Sequence, residues 1–195
     1  MTVSVRNVKL AVQVRLIPTL EQEQEQALAA TLSACNSAAN LVSTVAFEQQ
    51  VKRNFALRRL TYQELKERGL GAQAAQHVIK KVTDAYTALG AQVRDGLFGP
   101  SGSRRRAKAE SKPIVFRFGA AQPFDDRNLS WAMDAQTVSI WTVHGRVKNI
   151  PFVGETSQLK TLAASRQGES DLWRWPKLLR QGPDPIPAAD GAGES

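Results

Sequence analysis

Apolar and polar residues alternate near the start of the chain. Val8, Leu10, Val12, Val14 and Leu16 fall on one side of an extended backbone, and Lys9, Gln13 and Arg15 on the other, with Ala11 neutral. A period of two over that length predicts a strand with one buried face, ended by Pro18. The period then lengthens. Thr19 and Gln22 have the spacing of a capping box, and Glu21, Glu23 and Glu25 put negative charge at a helix N-terminus. Leu28, Leu32, Cys35, Ala39, Val42 and Ala46 follow at intervals of four and three. That stripe predicts a long helix over residues 20–50. A second capping box, Thr61 to Glu64, predicts a short helix stopped by Gly69 and Gly71. A third helix is expected over residues 72–94, with Ala75, Ile79, Val82, Tyr86, Leu89 and Val93 on one face.

Periodicity then lapses. GLFGPSGSRRRAKAESKP, residues 96–113, is rich in Gly, Ser and Arg and reads as a mobile basic loop. The period of two returns at residues 114–118, 137–143 and 147–153, with His144-Gly145 as a tight hairpin turn between the last two runs. A short amphipathic helix is expected at residues 156–167, and the Pro/Gly/Ala-rich residues 181–195 read as disordered. The first strand is thus about a hundred residues from any strand it could pair with, and a lone strand leaves its backbone and apolar face unsatisfied. The economical solution is an α+β fold: one β-barrel with a helical bundle inserted after its first strand.

Charge adds a partner to this outline. The 195 residues carry a formal net charge of +8, with a sequence pI near 10.0. Residues 41–120 hold 15 Lys/Arg against 6 Asp/Glu, and the remainder 11 against 12. The basicity therefore belongs to the helices and the loop after them, which favours nucleic acid as partner. Arg53, Arg58, Lys80, Lys81, Arg104, Arg105 and Arg106 are its leading members. Trp141 is the candidate for stacking on a base, although a strand position makes both Trp131 and Trp141 core residues by default. The N-terminal residues do not have the form of a signal peptide, and no uncharged apolar run approaches the length of a bilayer span. Cys35 is the only cysteine, so the expected setting is reducing and cytoplasmic.

The chain offers few residues placed for chemistry. Cys35 lies within the apolar stripe of the first helix, His77 on a packing helix, His144 at a turn, and Asp125-Asp126 in a turn after Pro123-Phe124. No segment offers the converging carboxylates of a metal-dependent nuclease, a phosphate-cradling loop or a dinucleotide motif. The expectation is a protein with no catalytic residues, no metal and no cofactor.

Four blocks then suggest a family: VKLAVQVRLIPTLEQEQEQAL, ACNSAANLVSTVAF, GLGAQAAQHVIKKVTDAY and PFDDRNLSWAMDAQTVSIWTVHGRVKNIPFVG, the last at residues 123–154. In this order, over roughly residues 7–172, they resemble the N-terminal part of the TnpB/OrfB-type transposon proteins, the RNA-guided nucleases ancestral to type V CRISPR effectors. The resemblance implies an OB-like, wedge-type barrel (residues 1–18 and 114–172) interrupted by a helical recognition-type insert (19–95) and the basic loop (96–113). It implies structured guide RNA and target DNA as partners, with base pairing supplying most specificity. Lys9, Arg15, Trp141, Arg146 and Lys148 would then face RNA, and Arg53, Arg58, Lys80 and Lys81 the nucleic-acid backbone. The family continues into an RNase-H-like nuclease domain, whereas here the resemblance fades at DLWRWPKLLRQGPDPIPAADGAGES. Residues 173–195 are accordingly expected to be a disordered or frameshifted tail. A non-functional transposon remnant and a repressor-like DNA binder without guide RNA are the alternatives, and the oligomeric state is left open.

Overall fold

The computed structural model describes residues 12–18 and 23–165. Lys9, the Thr19–Gln22 capping box and the tail expected from residue 173 lie outside them. Within them a short strand β1 (Arg15–Leu16) is followed by helices α1 (Glu23–Glu48), α2 (Asn54–Glu67), α3 (Ala72–Arg94) and α4 (Arg104–Glu110). Strands β2 (Leu129–Ala132), β3 (Thr137–Thr142) and β4 (Gly145–Val153) come next, then α5 (Thr156–Ser165). All four of the first helices therefore fall between β1 and the other strands. β1 pairs antiparallel with β4, Arg15 opposite Val153 and Leu16 opposite Phe152, so the expected long-range pairing exists.

The fold is α+β, and its sheet is open. Its order is β1-β4-β3-β2, antiparallel throughout, and among the described residues it does not close into a barrel. A bulge separates the Val138 and Ile140 pairings of β3 with β4, where Asn149 adopts φ 56°. Bulges of this kind add twist to a strand pair.

Two apolar cores share α1. Leu28 packs with Leu16, Phe124, Leu129, Val138, Ile140, Ile150, Phe152 and Leu162 under the sheet. Further along, Cys35, Ala39, Val42 and Ala46 pack with Leu57, Leu65, Ala75, Val78, Ile79 and Val82 from α2 and α3. The apolar stripe read from the sequence is thus one continuous buried seam that serves sheet first and bundle second. Thr31 marks the crossover: its hydroxyl donates to the Ala27 carbonyl at 2.7 Å and accepts from the Val143 backbone N–H at 3.0 Å. Trp131 has its default role, edge-on to Phe152 at 4.9 Å beneath the sheet.

Three local expectations are corrected. Thr61 does not cap a helix; it is fully buried mid-way along α2, its hydroxyl bonded to the Leu57 carbonyl at 2.8 Å. The helix begins seven residues earlier, at Asn54, with no side-chain cap. The basic segment 96–113 is not wholly loop: Ser103 accepts from the Arg106 N–H and starts the two-turn α4. Residues 114–117 form no strand ladder, and Phe118 begins a turn closed by the Ala120 N–H on the Arg117 carbonyl. Their partner is a helix: the Asn40 side-chain amide donates to the Phe116 carbonyl at 3.0 Å and accepts from its N–H at 2.7 Å, as a neighbouring strand would. The pattern of residues 129–132 does not indicate a strand, yet β2 forms there against β3. Gly69 ends α2 as expected: at φ 85° its N–H reaches the Lys66 carbonyl, and that of Leu70 reaches Leu65.

Candidate nucleic-acid interface

The fifteen cations of residues 41–120 divide into distinct environments. Arg68, Lys80 and Arg106 are bound to Glu64, Asp84 and Glu110 one turn away on their own helices. The other twelve have no carboxylate partner among the described residues. Lys81 is the exception in this group, because it turns inward. Its ammonium lies 2.5 Å from the Asn36 side-chain carbonyl and 5.1 Å from the centre of the Phe116 ring. Burial pushes the Lys81 ammonium down from 10.5 to about 8, against a smaller upward pull from Cys35. Lys81 is therefore a packing cation, not an outward-facing one. The remaining eleven, including Arg53, Arg58, Arg104 and Arg105, are exposed.

Aromatic rings orient several of these cations. Arg58 sits 5.3 Å from the Tyr62 ring centre, Lys52 5.5 Å from Tyr86 and Arg105 5.8 Å from Phe98. Such contacts hold the side chain while leaving its charge available. Phe55 and Tyr62 are not among the residues the sequence pattern points to: Phe55 precedes Thr61, the expected start of the helix, and its helical spacing to Arg59 and Tyr62 exists only because α2 begins at Asn54.

The residues expected to face RNA divide differently. Arg15 and Lys148 are exposed on β1 and β4. Arg146 is exposed but tethered: its guanidinium donates to the Arg127 carbonyl at 2.6 Å and to Ser130 Oγ at 3.2 Å, joining β4 to the start of β2. Trp141, opposite Arg146 in the register, is half-buried. A Cβ on Gly71 would lie 3.3 Å from its indole, so the ring is packed on the α2–α3 turn. Sheet and bundle are joined beside it. Gln73 of α3 donates to Asp125 Oδ2 at 2.6 Å and accepts from Arg127 at 3.0 Å, while His77 Nε2 lies 3.2 Å from the same carboxylate. Asp125 Oδ1 accepts from the Arg127 and Asn128 N–H groups, the turn role expected of it.

A second buried knot holds the segment after α4. Asn36, fully buried, donates to the carbonyls of Phe118 and Ala120 at 2.8 and 2.9 Å as well as to Leu32. Together with Asn40 it fixes residues 116–120 along α1 and leaves Val115, Arg117 and Phe118 outward. Cys35, beside Lys81, is buried, and burial raises its thiol from 9.0 to about 11. Such a thiol is a poor nucleophile at neutral pH.

Among the described residues no three His, Cys, Asp or Glu side chains converge to hold a metal ion. No helix there is long and apolar enough to cross a membrane. A small crevice between α1 and the sheet, lined by Leu28, Thr31, Leu32, Phe124 and Ile140, is wholly apolar in its side chains apart from Thr31. Compared with known proteins, the chain matches no protein-family model, no curated protein and no solved structure.

Proposed function

We propose that the chain is a non-enzymatic nucleic-acid-binding protein, the RNA- and DNA-binding half of a TnpB-like, transposon-encoded RNA-guided system acting in the cytoplasm. The observation that carries the reading is the set of eleven exposed cations in residues 41–120 with no carboxylate partner among the described residues. Three of these, Lys52, Arg58 and Arg105, lie over aromatic rings. Cations so displayed neutralise phosphates and release counterions without reading sequence. The inserted position of the helices supports the resemblance, since the implied architecture also places its helical part after the first strand. In that architecture the open sheet would be part of an OB-like barrel, with β1 or β2 as the edge taking further strands, and the sheet side would hold the guide scaffold.

The test is to purify the full chain from cells and sequence whatever nucleic acid accompanies it. Structured RNA enriched above background supports the proposal. Enriched duplex DNA without RNA would favour a repressor-like protein, and no nucleic acid would overturn the proposal.

A further inference from the structure

We infer that the outer face of α2 is a platform for an unpaired nucleic-acid strand, with Phe55 stacking on a base and Arg58, Arg59 and Lys66 on the phosphates. This rests on the nucleic-acid reading above and gives it a location and a substrate form.

The buried side of α2 is Leu57, Thr61 and Leu65. At about 100° per residue, Phe55, Arg59, Tyr62 and Lys66 share an arc of roughly 60°, with Tyr62 at its inner edge half-buried against the bundle core and Arg58 flanking the arc on the Tyr62 side, about 70° from its centre. The carboxylates of the helix are elsewhere: Glu64 and Glu67 lie about 100° or more from the arc's centre. Glu64 is already held by Arg68, and Glu67 accepts from Gln63. The result is a stripe of ring, cation, ring, cation about 16 Å long at 1.5 Å per residue, uninterrupted by negative charge.

Phe55 is 74% exposed. On the first turn of the helix, this phenyl ring belongs to neither apolar core among the described residues. Arg58 is held over Tyr62, so its guanidinium is positioned before any ligand arrives. An apolar partner protein would gain from Phe55 but leave Arg58, Arg59 and Lys66 desolvated without counter-charge. A paired duplex would satisfy the cations and leave Phe55 against the phosphates, because its bases are already stacked. An unpaired strand satisfies both, since every base offers a face and every linkage a charge.

The experiment measures affinities of the full chain for a 15-nucleotide unstructured RNA, the DNA of the same sequence, and each annealed to its complement. Wild type is compared with Phe55→Ala, Arg59→Gln, Lys66→Gln and the control Leu97→Ala, an exposed apolar residue off α2. Circular dichroism confirms that each folds. The inference expects Phe55→Ala to weaken unpaired strands about tenfold while changing duplex affinity less than twofold. Arg59→Gln and Lys66→Gln should each reduce the salt slope on unpaired strands by about 0.7. Leu97→Ala should match wild type. The RNA and DNA arms decide whether the 2′-hydroxyl contributes. If wild type binds unpaired strands or duplex but Phe55→Ala affects both equally or neither, this inference fails and the nucleic-acid reading stands. If wild type binds none of the four ligands, both fall. A sedimentation change from dimer to monomer on Phe55→Ala would make the stripe a self-interface and overturn the inference.

Discussion

Replacing Asn36 with alanine should release the segment that follows α4. Asn36 is fully buried and its amide is shared among four groups: it donates to the Leu32, Phe118 and Ala120 carbonyls and accepts from the Lys81 ammonium. The Leu32 carbonyl keeps its helical partner and costs nothing. The ammonium loses its only polar partner among the described residues, worth about 1.5–3 kcal/mol for a charged group. The two loop carbonyls cost about 1 kcal/mol each. Alanine recovers about 0.7 kcal/mol of helix propensity, which leaves a net loss of about 3–4 kcal/mol. Asn40→Ala is the internal comparison, because it breaks only the two half-buried bonds to Phe116 and should cost about 1 kcal/mol. Urea unfolding of both variants, followed by far-UV circular dichroism, gives the two numbers. Limited trypsin digestion at Arg117 reports the local release directly. A loss below about 1 kcal/mol for Asn36→Ala, with Arg117 still protected, would refute the assignment of this amide as the clasp.

Three further outcomes follow from the same contacts. The folded Lys81 ammonium titrates near 8 against 10.5 unfolded, so the unfolded state holds more protons between those values and stability should rise with pH there, by about 1–2 kcal/mol after allowing for partial exposure. Cys35 acts oppositely, losing stability from pH 9 to about 11. Urea titrations should thus show a rise from pH 8 to 9 that flattens above it, a continued rise in Cys35→Ala, and no rise in Lys81→Gln; a wild-type fall from pH 8 to 9 contradicts both assignments. Gly71→Val should cost about 1–2 kcal/mol by crowding the Trp141 indole, and in a double-mutant cycle with Trp141→Ala most of that cost should disappear. Asp125→Ala should cost about 2 kcal/mol through its bonds to Gln73, His77 and the turn N–H groups. The exposed neighbour Asp126→Ala should stay within about 0.5 kcal/mol of wild type, and equal effects at both positions would remove Asp125 from the junction.

Most of the fold was legible where burial and periodicity agree. The stripe from Leu28 to Ala46 is buried throughout, and α3 begins and ends at the residues its pattern indicated. The need of the first strand for a distant partner gave the insertion topology. What stayed hidden depended on contacts rather than pattern. Thr61 has a capping sequence, but its hydroxyl bonds back to its own helix, and only the packing of Leu57 shows that the helix has already begun. Residues 114–118 alternate like a strand, and Ile114 and Phe116 do pack inward, but Phe118 is exposed and the backbone partner is Asn40, a side chain that no local pattern identifies. On the interface side, composition located the positive charge correctly in the helices. It could not separate Lys81, half-buried against Asn36, from Arg59, which is exposed. Phe55 stays hidden for the same reason as Thr61: it precedes the expected start of the helix, and its exposure follows only from the packing of α2.

If the exposed cations of residues 41–120 bind phosphates, binding must depend on salt. Titrating the full chain against a structured RNA by fluorescence anisotropy, from 50 to 200 mM monovalent salt, reads the number of phosphates its exposed cations engage. Binding should be tight at the low end, with a logarithmic slope of about −3 to −6. Absence of binding at 50 mM, or affinity that does not change with salt, would contradict it.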